Sequence, residues 1–257
     1  GTWYGQAFTA TLINIEAVRG SSGNDILIGD NNSNDLYGKA GNDTINTGDN
    51  VGGLIGYDWV QGGTGNDTIT FGQGHGYFLV DYRWNSAPIT VDLTLASGQV
   101  DKGVDGIDTL VGLSMISSTD SGLEIRGTDG NDTFIGSNDP GLNYAAFQGM
   151  GGNDIFTGGT VFERINYSKA LTGVTVTFSG DGVGTTTQDG FGYGDTFTGI
   201  DGVRGSNFND ILTGSAGDQD FVTGGGSDIV DGGAGFDTAR YSRVDYGPLT
   251  ISMSQVT

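Results

Sequence analysis

Apolar residues recur singly along much of the chain, nine residues apart, each embedded in a polar, glycine-rich surround. Gly62-Gly63-Thr64-Gly65-Asn66-Asp67-Thr68-Ile69-Thr70 shows the unit best, and relatives begin at Gly20, Gly38, Gly127, Gly149, Gly205, Thr223 and Gly232. The eighth place holds the apolar side chain: Leu27, Ile45, Ile69, Phe134, Phe156, Leu212, Val230 and, smallest, Ala239. The sixth holds Asp25, Asp43, Asp67, Asp132, Asp154, Asp210, Asp228 or Asp237. Degenerate copies keep the phase, with Asn34 and Leu36 in one and Gln219 and Phe221 in another. Six residues of Gly, Asn and Asp make a turn, for which Gly supplies the unusual dihedrals. The last three can form only a short strand with one side chain pointing inward. Two units then close one coil of a flattened, all-β solenoid, and residues 18 apart stack on one edge.

Between the repeats the period changes to two. Ile89/Val91/Leu93, Val174/Val176/Phe178 and Leu249/Ile251/Met253 alternate as half-buried strands do. Each follows a Tyr: Tyr82, Tyr167 and Tyr241. The expected plan is a strand-segment end at 1–19 and roll blocks at 20–70, 127–166 and 205–240. Strand-pair segments at 71–126 and 167–204 separate the blocks, and a further one starts at 241–257. The solenoid is expected to run through all of them, and the phase at both ends is that of a fragment of a longer protein. Gly interrupts every window that a helix would need.

Composition narrows the class. Gly accounts for 50 of 257 residues, against 3 Pro and no strict third-residue period, which excludes collagen. The charge of -21 excludes nucleic acid as a partner, because phosphate binding needs a basic face. Cys is absent, so neither disulfides nor thiolate metal sites hold the chain. No apolar run of about 18 residues predicts a membrane-spanning helix, and the opening ten residues lack signal-peptide character. Many acids and glycines without cysteine point to metal-dependent folding in a calcium-rich, extracellular place.

Stacked carboxylates a strand spacing apart repel each other. A divalent cation between successive turns reverses the sign, and hard oxygen ligands without His or Cys favour calcium over zinc or copper. Asp25 is expected over Asp43 and Asp210 over Asp228. An insertion near Thr47 precedes a half-coil with Asp58 in the sixth place, after which Asp67 resumes the first edge.

These phased copies of G-G-x-G-x-D-x-U-x resemble the RTX (repeats-in-toxin, hemolysin-type calcium-binding) family of bacterial secreted proteins. The resemblance implies a parallel β-roll, several Ca²⁺ ions at the turns, and folding after export through a type I secretion channel. It places metal ligands on Asp25, Asp43, Asp67, Asp132, Asp154, Asp210, Asp228 and Asp237, with Asp58 beside them. The unit-opening Gly20, Gly38, Gly62, Gly127, Gly149, Gly205 and Gly232 belong to the same turns. Asn34, Gln219 and Glu163 depart from the pattern, so the opposite edge is expected to hold fewer or weaker ions.

The features that could be catalytic also have plainer readings. His75 lies near Tyr77, Asp81, Tyr82 and Arg83, a set that an alginate-type epimerase or lyase could use, but Tyr82 also fits the structural Tyr of the longer repeat. Asp139-Pro140 resembles a self-cleavage site, yet Asp-Pro also initiates turns. Trp3, Tyr4, Trp59, Trp84, Tyr144, Phe191 and Tyr193 could stack on sugars, although scattered exposed aromatics are ordinary. Arg19, Arg126 and Arg204 hold equivalent places before each roll and suit pairing with a carboxylate. The leading expectation is a non-enzymatic, calcium-dependent module that serves other domains or repeats of a larger secreted or cell-surface protein. The alternatives are an adhesin or polysaccharide-binding segment, or the accessory module of an epimerase or lyase.

Overall fold

A computed structural model describes residues 9–49, 56–74, 76–119 and 121–241, with the backbone of 2–3 and 6–7. His75, Tyr4, the side chain of Trp3 and the strand expected at 249–253 lie outside the described residues. The chain is all-β, and the described helical content is two short 3-10 turns, Gly103–Asp105 and Leu113–Met115. Two long sheets face each other, one of 13 strands and one of 10.

The three-residue ends of the nonapeptides build the larger sheet. Ile26–Ile28, Thr44–Asn46 and Thr68–Thr70 pair in parallel with Leu27, Ile45 and Ile69 in register. Only the middle residue of each points inward: Leu27, in the first coil, is largely buried and Ile45 and Ile69 are fully buried, while Ile26 and Ile28 face solvent. The smaller sheet runs a single file of its own, Val18, Leu36, Val60, Val80, Ile125, Phe147, Ile165, Val203, Phe221 and Ala239, every neighbour in register. The core is therefore little more than one side chain deep per sheet and coil. Its widest part is aromatic, where Phe134 and Phe156 stack with centroids 5.0 Å apart and Phe147 tilts against Phe134 at 5.3 Å. Replacing Phe156 with Ala is expected to cost about 3–5 kcal/mol, read as a lower thermal midpoint in saturating calcium.

The turns need backbone that only Gly adopts freely. At the fourth place of the unit Gly65 has φ +115° and Gly152 φ +112°. A side chain at Gly65 would also run into the Gly41 carbonyl one coil away. A β-carbon here is excluded by both dihedral and space.

The segments between roll blocks differ from the expected strand pairs, because each contributes three antiparallel strands. After Gly76–Asp81 the chain overshoots to Thr90–Asp92, which pairs with Thr133–Ile135 of the next block. It returns through Gly98–Asp101 and then runs forward in Ile107–Val111, parallel to Thr68–Thr70. Thr175–Gly180, Val183–Gln188 and Asp195–Thr198 repeat the path between the strands at 211–213 and 155–157. A pair would leave the chain heading against its parallel neighbours, whereas three strands restore its direction.

Candidate metal-binding edges

The sixth-place carboxylates line up along the two edges of the roll. On the first edge Asp43, Asp67, Asp154 and Asp228 each accept a hydrogen bond through Oδ1 from the backbone N–H of the preceding coil. Asp25 N–H donates to Asp43 at 2.8 Å, Asp43 to Asp67 at 2.9 Å, Asp132 to Asp154 at 2.8 Å and Asp210 to Asp228 at 3.0 Å. On the second edge Asn34 N–H donates to Asp58 at 2.8 Å and Gln219 N–H to Asp237 at 3.0 Å. Asp25, Asp43, Asp58, Asp67, Asp132, Asp154 and Asp210 are buried, while Asp228 and Asp237, toward the end of the described chain, are only half-buried.

Three further acids join these columns. Asp67 N–H donates to Asp108 at 3.0 Å, Asp154 N–H to Asp195 at 2.9 Å and Glu163 N–H to Asp201 at 2.7 Å. Asp108 and Asp195 both sit on the third meander strand, so each meander ends by rejoining the acid column. The signal was present in Gly106-Ile107-Asp108-Thr109-Leu110 and Gly194-Asp195-Thr196-Phe197, which keep the Asp-x-apolar end of the unit. At the other end of each meander a backbone N–H of an apolar residue fills the place. Ile89 donates to Asp132 at 2.7 Å and Val174 to Asp210 at 2.8 Å. The first edge therefore falls into three stacks, 25-43-67-108, 132-154-195 and 210-228.

Within a stack the second carboxylate oxygen distinguishes two kinds of Asp. The leading Asp of each stack is tied to the second residue of its own unit. Ser21 N–H and hydroxyl, Thr128 N–H and hydroxyl and Ser206 N–H and hydroxyl all donate to Asp25, Asp132 and Asp210 respectively. Further in, that residue is Lys39, Gly63, Met150 or Gly224, each at positive φ. Asp43 Oδ2 and Asp154 Oδ2 are then buried without a hydrogen-bond partner. An orphaned anionic oxygen in the interior is expensive unless a cation meets it.

The opening glycines complete the setting. A β-carbon on Gly20 would lie 2.6 Å from Asp25 Oδ2 and 2.6 Å from the Gly38 carbonyl, and one on Gly38 would lie 2.6 Å from the Gly62 carbonyl and closer still to Asp43 Oδ2. Gly62, Gly127, Gly149, Gly205 and Gly232 likewise face the Oδ2 of Asp67, Asp132, Asp154, Asp210 and Asp237. Carboxylate and carbonyl oxygens thus converge from successive coils, a donor set that suits a hard divalent ion. Among the described residues no three His, Cys, Asp or Glu side chains gather as a metal cluster, so backbone carbonyls are essential to that donor set.

Burial raises many of the column acids, whereas at Asp25, despite burial acting the other way, the hydrogen bonds from Ser21 help to hold the carboxyl below its ordinary value. Burial, then Asp195, Asp132 and Asp189, pushes the Asp154 carboxyl up to about 9. Burial, followed by neighbouring Asp67 and Asp25, raises Asp43 to about 6, and burial raises Asp132 and Asp195 to about 6. Burial also lifts Glu163 to about 7 and raises Asp210 and Asp228. These groups resist ionising side by side unless positive charge is supplied.

A family model that describes four copies of the RTX calcium-binding nonapeptide repeat matches residues 15–45, 46–78, 124–139, 195–218 and 204–239. The chain carries hemolysin-type RTX repeats. RTX repeats of this kind indicate a calcium-binding repeat module, and the parallel roll seen here is the architecture that the repeat pattern predicts. No curated protein matches the chain.

The substituted positions of the RTX pattern satisfy themselves. Asn34 accepts from Asp30 N–H and turns its amide onto the Asn32 carbonyl and Asp30, and Gln219 accepts from Ser215 N–H at 2.8 Å. Glu163 reaches back to accept from the N–H of Ser137 and of Gly159. Asp220 turns from the column to pair with Arg164 and Arg240.

Residues with possible catalytic readings serve the scaffold. Asp81 is buried and held by Arg126 at 2.9 Å and Arg83 at 3.0 Å. Tyr82 is buried, as is Tyr167, whose hydroxyl donates to Asp195 at 2.8 Å. Asp139-Pro140 forms a turn, with Gly141 N–H donating to Asp139 at 2.9 Å. Trp59 and Trp84 flank Arg83, each ring centroid 5.3 Å from the guanidinium, in a shallow groove with Arg19, Tyr37 and Gln61. Tyr144 covers Arg164 at 5.4 Å. Phe191 and Tyr193 lie in a glycine-flanked bend.

Proposed function

We propose that this chain is a calcium-dependent folding module of a larger secreted or cell-surface bacterial protein, kept open for export where calcium is scarce and rolled up where it is millimolar. The observation that carries this reading is the buried acid column, whose inner members Asp43 and Asp154 present oxygens that no protein donor meets. In this reading the ligands are Asp25, Asp43, Asp67, Asp132, Asp154, Asp210, Asp228 and Asp237, with Asp58 on the second edge and the carbonyls of the glycine turns. The chain's own part is to hold these oxygens in register, to exclude water with the single-file core, and to expose like charges to each other when the ions leave. Oxygen-ligand calcium sites in extracellular modules have dissociation constants of about 0.1–1 mM.

Calorimetric titration tests this. The chain is expected to take up several calcium ions, and Asp154→Asn to bind fewer. A chain that stays inert to calcium at ~10 mM, well above that range, refutes the proposal.

The Trp59–Arg83–Trp84 groove supports a second reading, binding of an acidic polysaccharide on the outer face. Glycan arrays probed with calcium present separate it from a purely structural role: arrays that stay dark remove it.

A further inference from the structure

The two meanders enter and leave the roll at matching steps, yet one residue differs between them in the sign of its charge. Asp67 and Asp108 are 41 residues apart, as are Asp154 and Asp195. Lys102 follows Asp67 by 35 residues, the place that Asp189 takes after Asp154. Each comes directly after the middle strand of its meander, Gly98–Asp101 or Val183–Gln188.

Lys102 is fully buried. Its Nζ lies 2.5 Å from Asp108 Oδ1, 3.1 Å from Asp67 Oδ2 and 2.6 Å from the Gly63 carbonyl. An ammonium has three N–H donors, and here three oxygens take them. Two carboxylates of successive coils and a carbonyl of the glycine turn are the same classes of oxygen that converge along the rest of the column. Asp67 Oδ2 thereby gains the partner that Asp43 Oδ2 and Asp154 Oδ2 lack, and Asp108 meets the ammonium through Oδ1 while its Oδ2 has no hydrogen bond. At the second junction Asp189 is equally buried, its Oδ1 accepts from the N–H of Phe191, Gly192 and Tyr193, and its Oδ2 has no partner.

We infer that Lys102 is a built-in counter-ion that takes the place of calcium at the step between Asp67 and Asp108, so that this junction closes without metal while the Asp154–Asp195 junction requires it. This rests on the calcium reading above and assigns one step of the column to a covalently attached cation. The first junction becomes a fixed seed on which the first roll block can stack, and the second is left under ionic control.

Two measurements decide it. In wild-type protein, hydrogen exchange is followed across a calcium titration. The amides that span the first junction, Thr109 to the Asp67 carbonyl and Phe71 to the Val111 carbonyl, are compared with Thr196 to the Asp154 carbonyl and Gly158 to the Thr198 carbonyl at the second. Protection at the first junction is expected at free calcium lower by a factor of about ten or more, because buried carboxylates left without any cation cost more than the ~1.4 kcal/mol that a tenfold shift represents. In Lys102→Met, which keeps an apolar stem but removes the charge, calorimetry is expected to show one additional calcium per chain and the two junctions to gain protection together.

Equal calcium midpoints at both junctions in the wild type overturn the inference without any variant, so a variant that fails to fold leaves the test intact. A folded Lys102→Met that binds no more calcium than wild type overturns it as well. In both cases the wild-type chain still takes up calcium, which distinguishes this failure from that of the calcium reading, where the wild type takes up none.

Discussion

Chelation at neutral pH is expected to convert the far-UV circular dichroism of the chain from β-sheet to coil, and millimolar calcium to restore it. The expectation follows from two features of the fold. The core supplies about one inward side chain per sheet and coil, with no second layer behind it, so apolar burial per residue is low. The columns meanwhile bring buried carboxylates close together at a net charge of -21, and self-repulsion opposes the compact state. At ~1 mM calcium a site with a dissociation constant of ~0.1 mM adds about 1.4 kcal/mol. Four such sites would contribute about 6 kcal/mol, as much as the whole stability of a marginal domain. The loss of signal should be cooperative and reversible, and a chelated chain that keeps its full β spectrum would show that the roll is stable without ions.

Acid is expected to do part of the work of calcium. In metal-stripped protein the β signal should be strongest near pH 4–5 and should decline as pH rises toward 9. The sign follows from the raised carboxyls. Asp43, Asp132 and Asp195 sit at about 6, Glu163 at about 7 and Asp154 at about 9, in each case chiefly through burial. Unfolded, the same groups titrate near 4. Between those values the folded chain holds more protons than the unfolded one, so stability falls as pH rises. The loss begins just above pH 4, is steepest at about pH 5–6, slows above 7 and ends near 9. With calcium present the order inverts, because protons and the ion compete for the same oxygens. Paired pH series of circular dichroism, with and without calcium, would read the two opposite slopes. Metal-stripped protein that gains structure with rising pH would contradict the assignment.

Much of this was legible in the sequence because the turn chemistry and the strand chemistry share one nine-residue frame. The Asp at place six and the apolar residue at place eight fix edge and core together, so one phase locates both columns and the inward file of the larger sheet. The meanders were harder. Alternation at Val91 and Val176 announces a strand, but Gly98–Asp101 and Val183–Gln188 are thin in apolar residues, and their pairing is decided by neighbours far away in the chain. Asp108 and Asp195 were overlooked because the glycine-rich front half of their unit is eroded while its Asp-x-apolar end survives. Lys102 could not be found from periodicity at all: a single lysine between glycine turns reads as a solvated charge until the fold closes over it.

The three-strand detours have a consequence for how such a chain can grow. An excursion that leaves a parallel staircase and rejoins it on the next step must hold an odd number of runs, so added length arrives in hairpins, two runs at a time. Loops at the hairpin tips can be lengthened or exchanged without shifting the numbering of the staircase beyond them. Deleting one run, by contrast, would reverse every later step.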